Sequence, residues 1–214
     1  MQVFLFSDLH GNYKQLANLE SLLVGNNQFG GIIFAGDVVN MGEPVSYVEQ
    51  FIKILDKINL PFFWVPGNND FGRGYHKLNA KYKSLEGRIV KFGEYKVTGV
   101  GGSPESWSGQ YMGEQTVKEE DISGSIFVSH VPPPGVHNYR YTNEESPAIH
   151  KKLSNSPKVH ICGHVHYREG FAYLGPTKII KLASAELGRY AIMDLDTFKV
   201  DFKRFPSRKL DKQI

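Results

Sequence analysis

The sequence predicts a single α/β domain with a mixed sheet system. In the first hundred residues, short apolar runs alternate with segments whose apolar residues recur at helical spacing. In the last third, four β-like runs follow one another with turn residues between them. No internal repeat, low-complexity tract or Pro/Gly/Ser linker divides the 214 residues.

Residues 2–6 read as a strand. The segment 13–24 then places Tyr13, Leu16, Leu19 and Leu23 on one helical face, with Asn12 as N-cap, Gln15 three residues on, and Gly25 as the stop. A second buried strand is expected at 31–35. The next helix opens at Glu43-Pro44, with Pro44 at the first helical position, and runs through Val45, Val48, Phe51 and Leu55 to about Ile58. A third strand is expected at 61–65, and this alternation implies parallel strands joined by crossovers. Residues 88–92 and 95–98 flank Gly93-Glu94, a two-residue hairpin signal. Further strands are expected at 126–129 and 159–162, with a helix near 144–153. The runs 169–173, 177–182, 189–194 and 199–203 read as a meander. Gly99-Val100-Gly101-Gly102 lacks the third glycine of a dinucleotide fingerprint and reads as a strand-end loop.

Composition narrows the function classes. With 41% hydrophobic and 22% charged residues the chain is that of a folded domain, not a disordered one. The lone Cys162 excludes an internal disulfide framework and favours a reducing compartment. No apolar run approaches the roughly 18 residues of a membrane span. The opening MQVFLFSDLHG lacks a basic n-region, and Ser7, Asp8 and His10 interrupt it too early for a signal peptide, so a cytoplasmic location is expected. The net charge of +3 is uneven: residues from Lys203 onward carry +4 and the remainder −1. This divides the chain into a single domain, 1–202, and a basic C-terminal tail, 203–214. The tail is read as a solvated terminus, with contact to nucleic acid or an acidic surface as the alternative. The longest irregular stretch, 103–113, carries Trp107 and Tyr111 and suits a lid or pocket wall.

Five polar clusters each follow an apolar strand-like run: Asp8-Leu9-His10, Gly36-Asp37, Gly67-Asn68-Asn69-Asp70, Ser129-His130 and Gly163-His164-Val165-His166. The crevice beyond the carboxyl ends of strands is where α/β sheets bind ligands. In extended backbone, residues i and i+2 point the same way, so Asp8 with His10, and His164 with His166, form two pincers. Asp, Asn and imidazole donors suit Mn, Fe, Zn, Co or Ni rather than Ca or a thiolate site. A ligand set of two Asp, one Asn and four His is too many for one tetrahedral ion and suits two metals about 3.5–4 Å apart sharing a carboxylate. A water between two such ions becomes a hydroxide nucleophile near neutral pH.

The order D-x-H, G-D, G-N-x-D, H, G-H-x-H resembles the calcineurin-like metallophosphoesterase superfamily over residues 1–170. The His-Val-Pro-Pro turn after Ser129 is similar to that of its small, uncapped prokaryotic phosphoesterases. The resemblance implies a four-layer sandwich, two mixed β-sheets packed face to face with flanking helices. It implies that Asp8, His10 and His166 hold one metal, that Asn68, His130 and His164 hold the other, and that Asp37 bridges them. The implied cofactors are two divalent ions, with Mn favoured, and the implied activity is phosphoester hydrolysis by a metal-bridging hydroxide. Substrate contacts fall to Asn68 and Asn69.

Two departures from the family pattern matter. The usual G-N-H-D reads Gly67-Asn68-Asn69-Asp70 here, and Asn69 can donate a hydrogen bond in the transition state but cannot transfer a proton. A phosphodiester or activated ester is therefore favoured over a monoester, unless His76 or His137 acts as the acid. After the last His pair, Leu182-Ala183-Ser184-Ala185-Glu186 replaces the Asn-Pro-Gly-Ser of many small members. The alternatives are a non-catalytic metal-binding scaffold of the same fold, and a single-strand nuclease gripping its substrate with the tail, Trp107 and Tyr111. A small phosphoester is the expected partner, with nucleic acid less favoured and no membrane. The oligomeric state is left open, a homodimer among the alternatives. His150, His160 and Cys162 read as structural, and Asn40 as orienting a ligand residue.

Overall fold

Strand residues buried on both faces leave little alternation to read, and here the central strands of both sheets feed two apolar layers at once. The computed structural model describes residues 1–41, 44–102, 122–136 and 147–206. In chain order it contains β1 (Gln2–Phe6), α1 (Tyr13–Leu23), β2 (Phe29–Phe34), α2 (Val45–Ile58), β3 (Phe62–Trp64), α3 (Gly72–Lys81), β4 (Val90–Phe92), β5 (Tyr95–Val100) and β6 (Ile126–Ser129). After these come α4 (Pro147–Leu153), β7 (Val159–Cys162), β8 (Gly170–Leu174), β9 (Thr177–Lys181), a 3-10 turn (Ala185–Leu187), β10 (Arg189–Asp194) and β11 (Val200–Arg204).

One sheet has the order β11-β10-β1-β2-β3 and the other β4-β5-β6-β7-β9-β8. β1, β2 and β3 are parallel, as are β5, β6, β7 and β9; β4, β8, β10 and β11 pair antiparallel. Val3 and Leu5 of β1, Ile33 of β2, Val128 of β6 and Ile161 of β7 fill the layer between the sheets. Phe4, Phe6 and Phe34 point the other way, against Leu16 and Leu19 of α1 and Phe51 of α2. On the far side Phe127 and Cys162 pack with Ile149 and Leu153 of α4. The result is the expected four layers.

Local signals account for most boundaries. The Asn12 side chain accepts from the Gln15 N–H at 3.1 Å and starts α1. Pro44 lies one position further out than expected: its backbone is extended and α2 begins at Val45. α2 ends on Asn59 in the left-handed region. The Gly93-Glu94 turn pairs Phe92 with Tyr95. α3 has no counterpart in the sequence expectation, since Gly72 and Gly74 interrupt it and just Gly74 and Leu78 are buried along its length.

The C-terminal meander is corrected. β8–β9 is a hairpin of one sheet and β10–β11 a hairpin of the other. The chain crosses between them at residues 182–188, where Ala185 N–H donates to Ser7 C=O and Glu186 N–H to Asp8 C=O, at 2.8 and 2.9 Å. Lys203 and Arg204 lie within β11 and Phe205 is buried in the helix-side core. Residues 207–214, Glu43, Trp107, Tyr111 and His137 lie outside the described residues. No described helix is long and apolar enough to cross a membrane.

Candidate metal centre

Beyond β1 and β2 the chain continues as two backbones laid side by side. Asp8 N–H donates to Gly36 C=O, Leu9 N–H to Asp37 C=O and Gly11 N–H to Val38 C=O, at 2.8–3.0 Å. Asp8, His10, Asp37 and His164 have φ of 58°, 47°, 62° and 68°. This corrects the pincer argument, because the side chains converge from left-handed backbone and not from extended segments. Non-glycine residues held at positive φ cost on the order of 1–3 kcal/mol and gather at functional sites.

The convergence forms two groups. His10 Nε2 and His166 Nε2 are 3.0 Å apart, and Asp8 Oδ1 lies 3.6 and 3.5 Å from them. His130 Nε2 lies 2.9 Å from Asn68 Oδ1, 3.2 Å from His164 Nδ1 and 3.4 Å from Asp37 Oδ2. The His164/His166 pair is thus split between the groups. Asp37 Oδ2 is also 3.7 Å from His10 Nε2, so one carboxylate oxygen faces both. Donor atoms about 2.0–2.2 Å from a common ion, tetrahedral or octahedral, lie about 2.8–3.6 Å apart, and all these spacings but the 3.7 Å between Asp37 and His10 fall in that range. Asp8 Oδ1 and His10 Nδ1 are buried without a hydrogen-bond partner among the described residues. Asp8, His10 and His166 could hold one ion, and Asp8, Asp37 and His130 also cluster closely enough to hold one.

Surrounding contacts set the donors' orientation. His130 Nδ1 faces Ala35 C=O at 2.7 Å, which directs Nε2 to the centre. Asp8 Oδ2 accepts the His164 N–H at 3.1 Å and leaves Oδ1 for the cavity. Asn40 Nδ2 donates to the His10 C=O at 3.1 Å, so it fixes the backbone of that residue, not its ring. Asp70 is buried and accepts from the N–H groups of Asp37, Val38 and Gly67 at 2.7–2.9 Å, joining the loops after β2 and β3. Lys181, fully buried, donates to Val165 and Arg168 C=O. The sequence expectation assigned neither Asp70 nor Lys181 a role, and a lysine in the run Lys178-Ile179-Ile180-Lys181 carries no local signal of burial.

Burial opposes ionisation of Asp8, yet His10, His166 and His130 hold it well below the usual carboxylate range. Asp37 is lowered too, burial being outweighed chiefly by His130. Burial works against protonating His130, but Asp37, Asp8 and Ala35 C=O raise its pKa to about 9. Burial and the neighbouring His130 push His164 down to about 3. Burial and the Asp37 charge raise Asp70 to about 6. The centre therefore keeps its carboxylates ionised beside imidazoles. Above it a cavity of about 240 Å³ is lined by His10, Asp37, Asn68, Asn69, His164, Val165, His166 and Tyr167, among which there is no lysine or arginine.

Asn69 lines this cavity, with its N–H on Asp37 Oδ1 and its Nδ2 on Asp37 Oδ2, both at 2.8 Å. His76 is exposed on α3 beside Tyr75 and does not line it. His150 is exposed on α4. His160, on the outer face of β7, is fully buried: Ser129 Oγ donates to Val131 C=O at 2.6 Å and faces His160 Nε2 at 2.7 Å. Burial lowers His160 to about 3. An unfolded histidine gains a proton below about pH 6.5, so the unfolded chain binds more protons than the folded one and this contribution to stability is lost as pH falls toward 3. Between pH 7 and pH 5 the metal-free protein is expected to lose about 2 kcal/mol more than His160→Gln. Urea unfolding of both at the two pH values checks this, and parallel losses would contradict it.

The profile of one protein family, described as calcineurin-like phosphoesterase, matches residues 1–168. An uncharacterised protein of Bacillus subtilis, YpbG, is 25% identical over 203 residues, which is 90% of this chain and 71% of that one. The 3',5'-cyclic adenosine monophosphate phosphodiesterase CpdA of Haemophilus influenzae is 36% identical over 53 residues, 25% of this chain and 19% of CpdA. The crystal structure of TT1561 from Thermus thermophilus superposes with a TM-score of 0.78 at 18% identity, covering 96% of this chain and 99% of that one.

Proposed function

The chain belongs to the calcineurin-like phosphoesterase family, and on that premise we propose that it is a two-metal hydrolase favouring phosphodiesters. One observation carries the reading: two buried carboxylates and four imidazoles converge on a cavity whose described lining holds no lysine or arginine. With no lysine or arginine in that lining, bound cations would supply the attraction for a phosphate. Asp8, His10 and His166 would hold one ion and Asn68, His130 and His164 the other, with Asp37 facing both. Two divalent ions bound there, Mn being our choice, would neutralise phosphoryl oxygens and acidify a shared water into the nucleophile.

The chain's own residues arrange the rest. His130 presents Nε2 because Nδ1 is committed to Ala35 C=O. Asn69 holds both oxygens of Asp37. A side-chain amide has two donor hydrogens, so one remains to meet a substrate oxygen. It cannot protonate a leaving group. His76 stands away from the cavity, which strengthens the preference for diesters and activated esters. Residues 1–202, with β11 running on to Arg204 and Phe205 in the core, would form the catalytic unit, with a soluble, cytoplasmic setting. The short similarity to a cyclic-nucleotide phosphodiesterase agrees with a diester substrate.

The test is hydrolysis of bis-p-nitrophenyl phosphate and p-nitrophenyl phosphate by metal-stripped protein before and after adding Mn²⁺. Diester turnover that appears with Mn²⁺ and exceeds monoester turnover at least tenfold is expected. Inactivity toward both with Mn²⁺, Fe²⁺, Zn²⁺, Co²⁺ and Ni²⁺ alike would overturn the reading in favour of a scaffold.

A further inference from the structure

We propose that Tyr167 is a stacking platform for an aromatic ring carried by the substrate ester, so that the protein selects phosphoesters of the nucleotide or aryl type. The proposal deepens the phosphoester reading above and rests on it. Tyr167 is 80% exposed, yet it lines the cavity over the candidate metal centre and its ring centroid is 6.3 Å from that of His166. Its backbone is pinned. Residues 166 and 167 form the turn between Val165 and Arg168, and the buried Lys181 ammonium donates to the carbonyls at both ends. The Ser184 N–H holds the His166 carbonyl at 3.0 Å, and Val165 N–H bonds Gly163 C=O at 2.9 Å.

This combination separates Tyr167 from an incidental surface aromatic. The turn that places His166 in the centre presents the next side chain outward, on backbone that binding need not order. The cavity, about 240 Å³, is smaller than the roughly 300–1,000 Å³ that encloses a whole drug-sized ligand. The phosphoryl group and its nearest atoms fill it, and the rest of the ester emerges at the rim. A flat π-face there rewards a ring in that position, and the described lining offers no lysine or arginine to compete for it.

Calorimetric titration of Mn²⁺-loaded protein with AMP, phenyl phosphate and ribose 5-phosphate tests this. A ring-bearing phosphate is expected to bind about 5- to 150-fold more tightly than ribose 5-phosphate. Tyr167→Ala should abolish the gain without weakening ribose 5-phosphate, whereas Tyr167→Phe should keep it. A gain with AMP identifies a nucleotide-type ester, and a gain confined to phenyl phosphate an aryl ester. Equal affinities in the wild type, or a gain that survives Tyr167→Ala, overturn the platform and leave the hydrolase reading standing. No binding of any of the three removes both.

Discussion

Asp37→Asn is expected to lower Mn²⁺-dependent diester turnover by about 10³-fold, equivalent to about 4 kcal/mol of transition-state stabilisation. Asp37 Oδ2 stands 3.4 Å from His130 Nε2 and 3.7 Å from His10 Nε2, between the two donor groups. Its other oxygen accepts the Asn69 N–H, so the carboxylate has little freedom to rotate. Asparagine removes one negative charge and turns one of the two atoms into a donor, so no rotamer can present an anionic oxygen to both groups. The shape is nearly unchanged, but asparagine removes the charge that pairs with His130 and one of the two oxygens that accept from Asn69, so the metal-free protein loses stability. Cooperative unfolding of the metal-free variant about 1–3 kcal/mol below wild type, together with the lost turnover, is the expected pair. Turnover within tenfold of wild type would remove Asp37 from the centre.

Gly67→Ala strikes the same carboxylate from behind. A Cβ at Gly67 would lie 2.0 Å from Asp37 Oδ1 and 2.5 Å from its Cγ and backbone N, well inside the 3.0 Å that real Cβ contacts keep. The backbone cannot retreat freely, because the Gly67 N–H bonds Asp70, which also holds the N–H groups of Asp37 and Val38. Asp37 must therefore shift by about an ångström, a displacement that costs about 10²-fold in rate. Overpacking should add about 1–3 kcal/mol of destabilisation. Kinetics and urea unfolding measure the two losses. Retention of both rate and stability would show that the loops after β2 and β3 approach less closely than the structure places them.

The strands and helices that begin on local signals were readable from the residues alone. Asn12 caps α1, Gly93-Glu94 turns a hairpin, and apolar periodicity marks α2. α3 escaped because two glycines dilute its pattern and its contact with α2 is a close approach of Gly74 to Val48. The last four strands read as strands from their own residues, but not as members of two sheets. Each carries apolar residues on both faces or lies at an edge, so its own sequence does not say which partner it has.

For the candidate site, the residues alone supply the candidate donors and their order: Asp8, His10, Asp37, Asn68, His130, His164 and His166, each just beyond an apolar run. Donor chemistry is a property of the side chain and survives any arrangement. Folding alone sets which atom faces which. The family resemblance already parts His164 from His166; the structure adds the atoms, His10 Nε2 meeting His166 Nε2 and Asp8 Oδ2 meeting the His164 N–H across 156 positions of sequence. Left-handed backbone at four of these residues, the Asp70 carboxylate tying two loops and the Lys181 ammonium pinning the turn under Tyr167 belong to the same class. They arise from contacts between segments distant in the chain, where packing and unsatisfied backbone groups, rather than local propensity, set the lowest free energy.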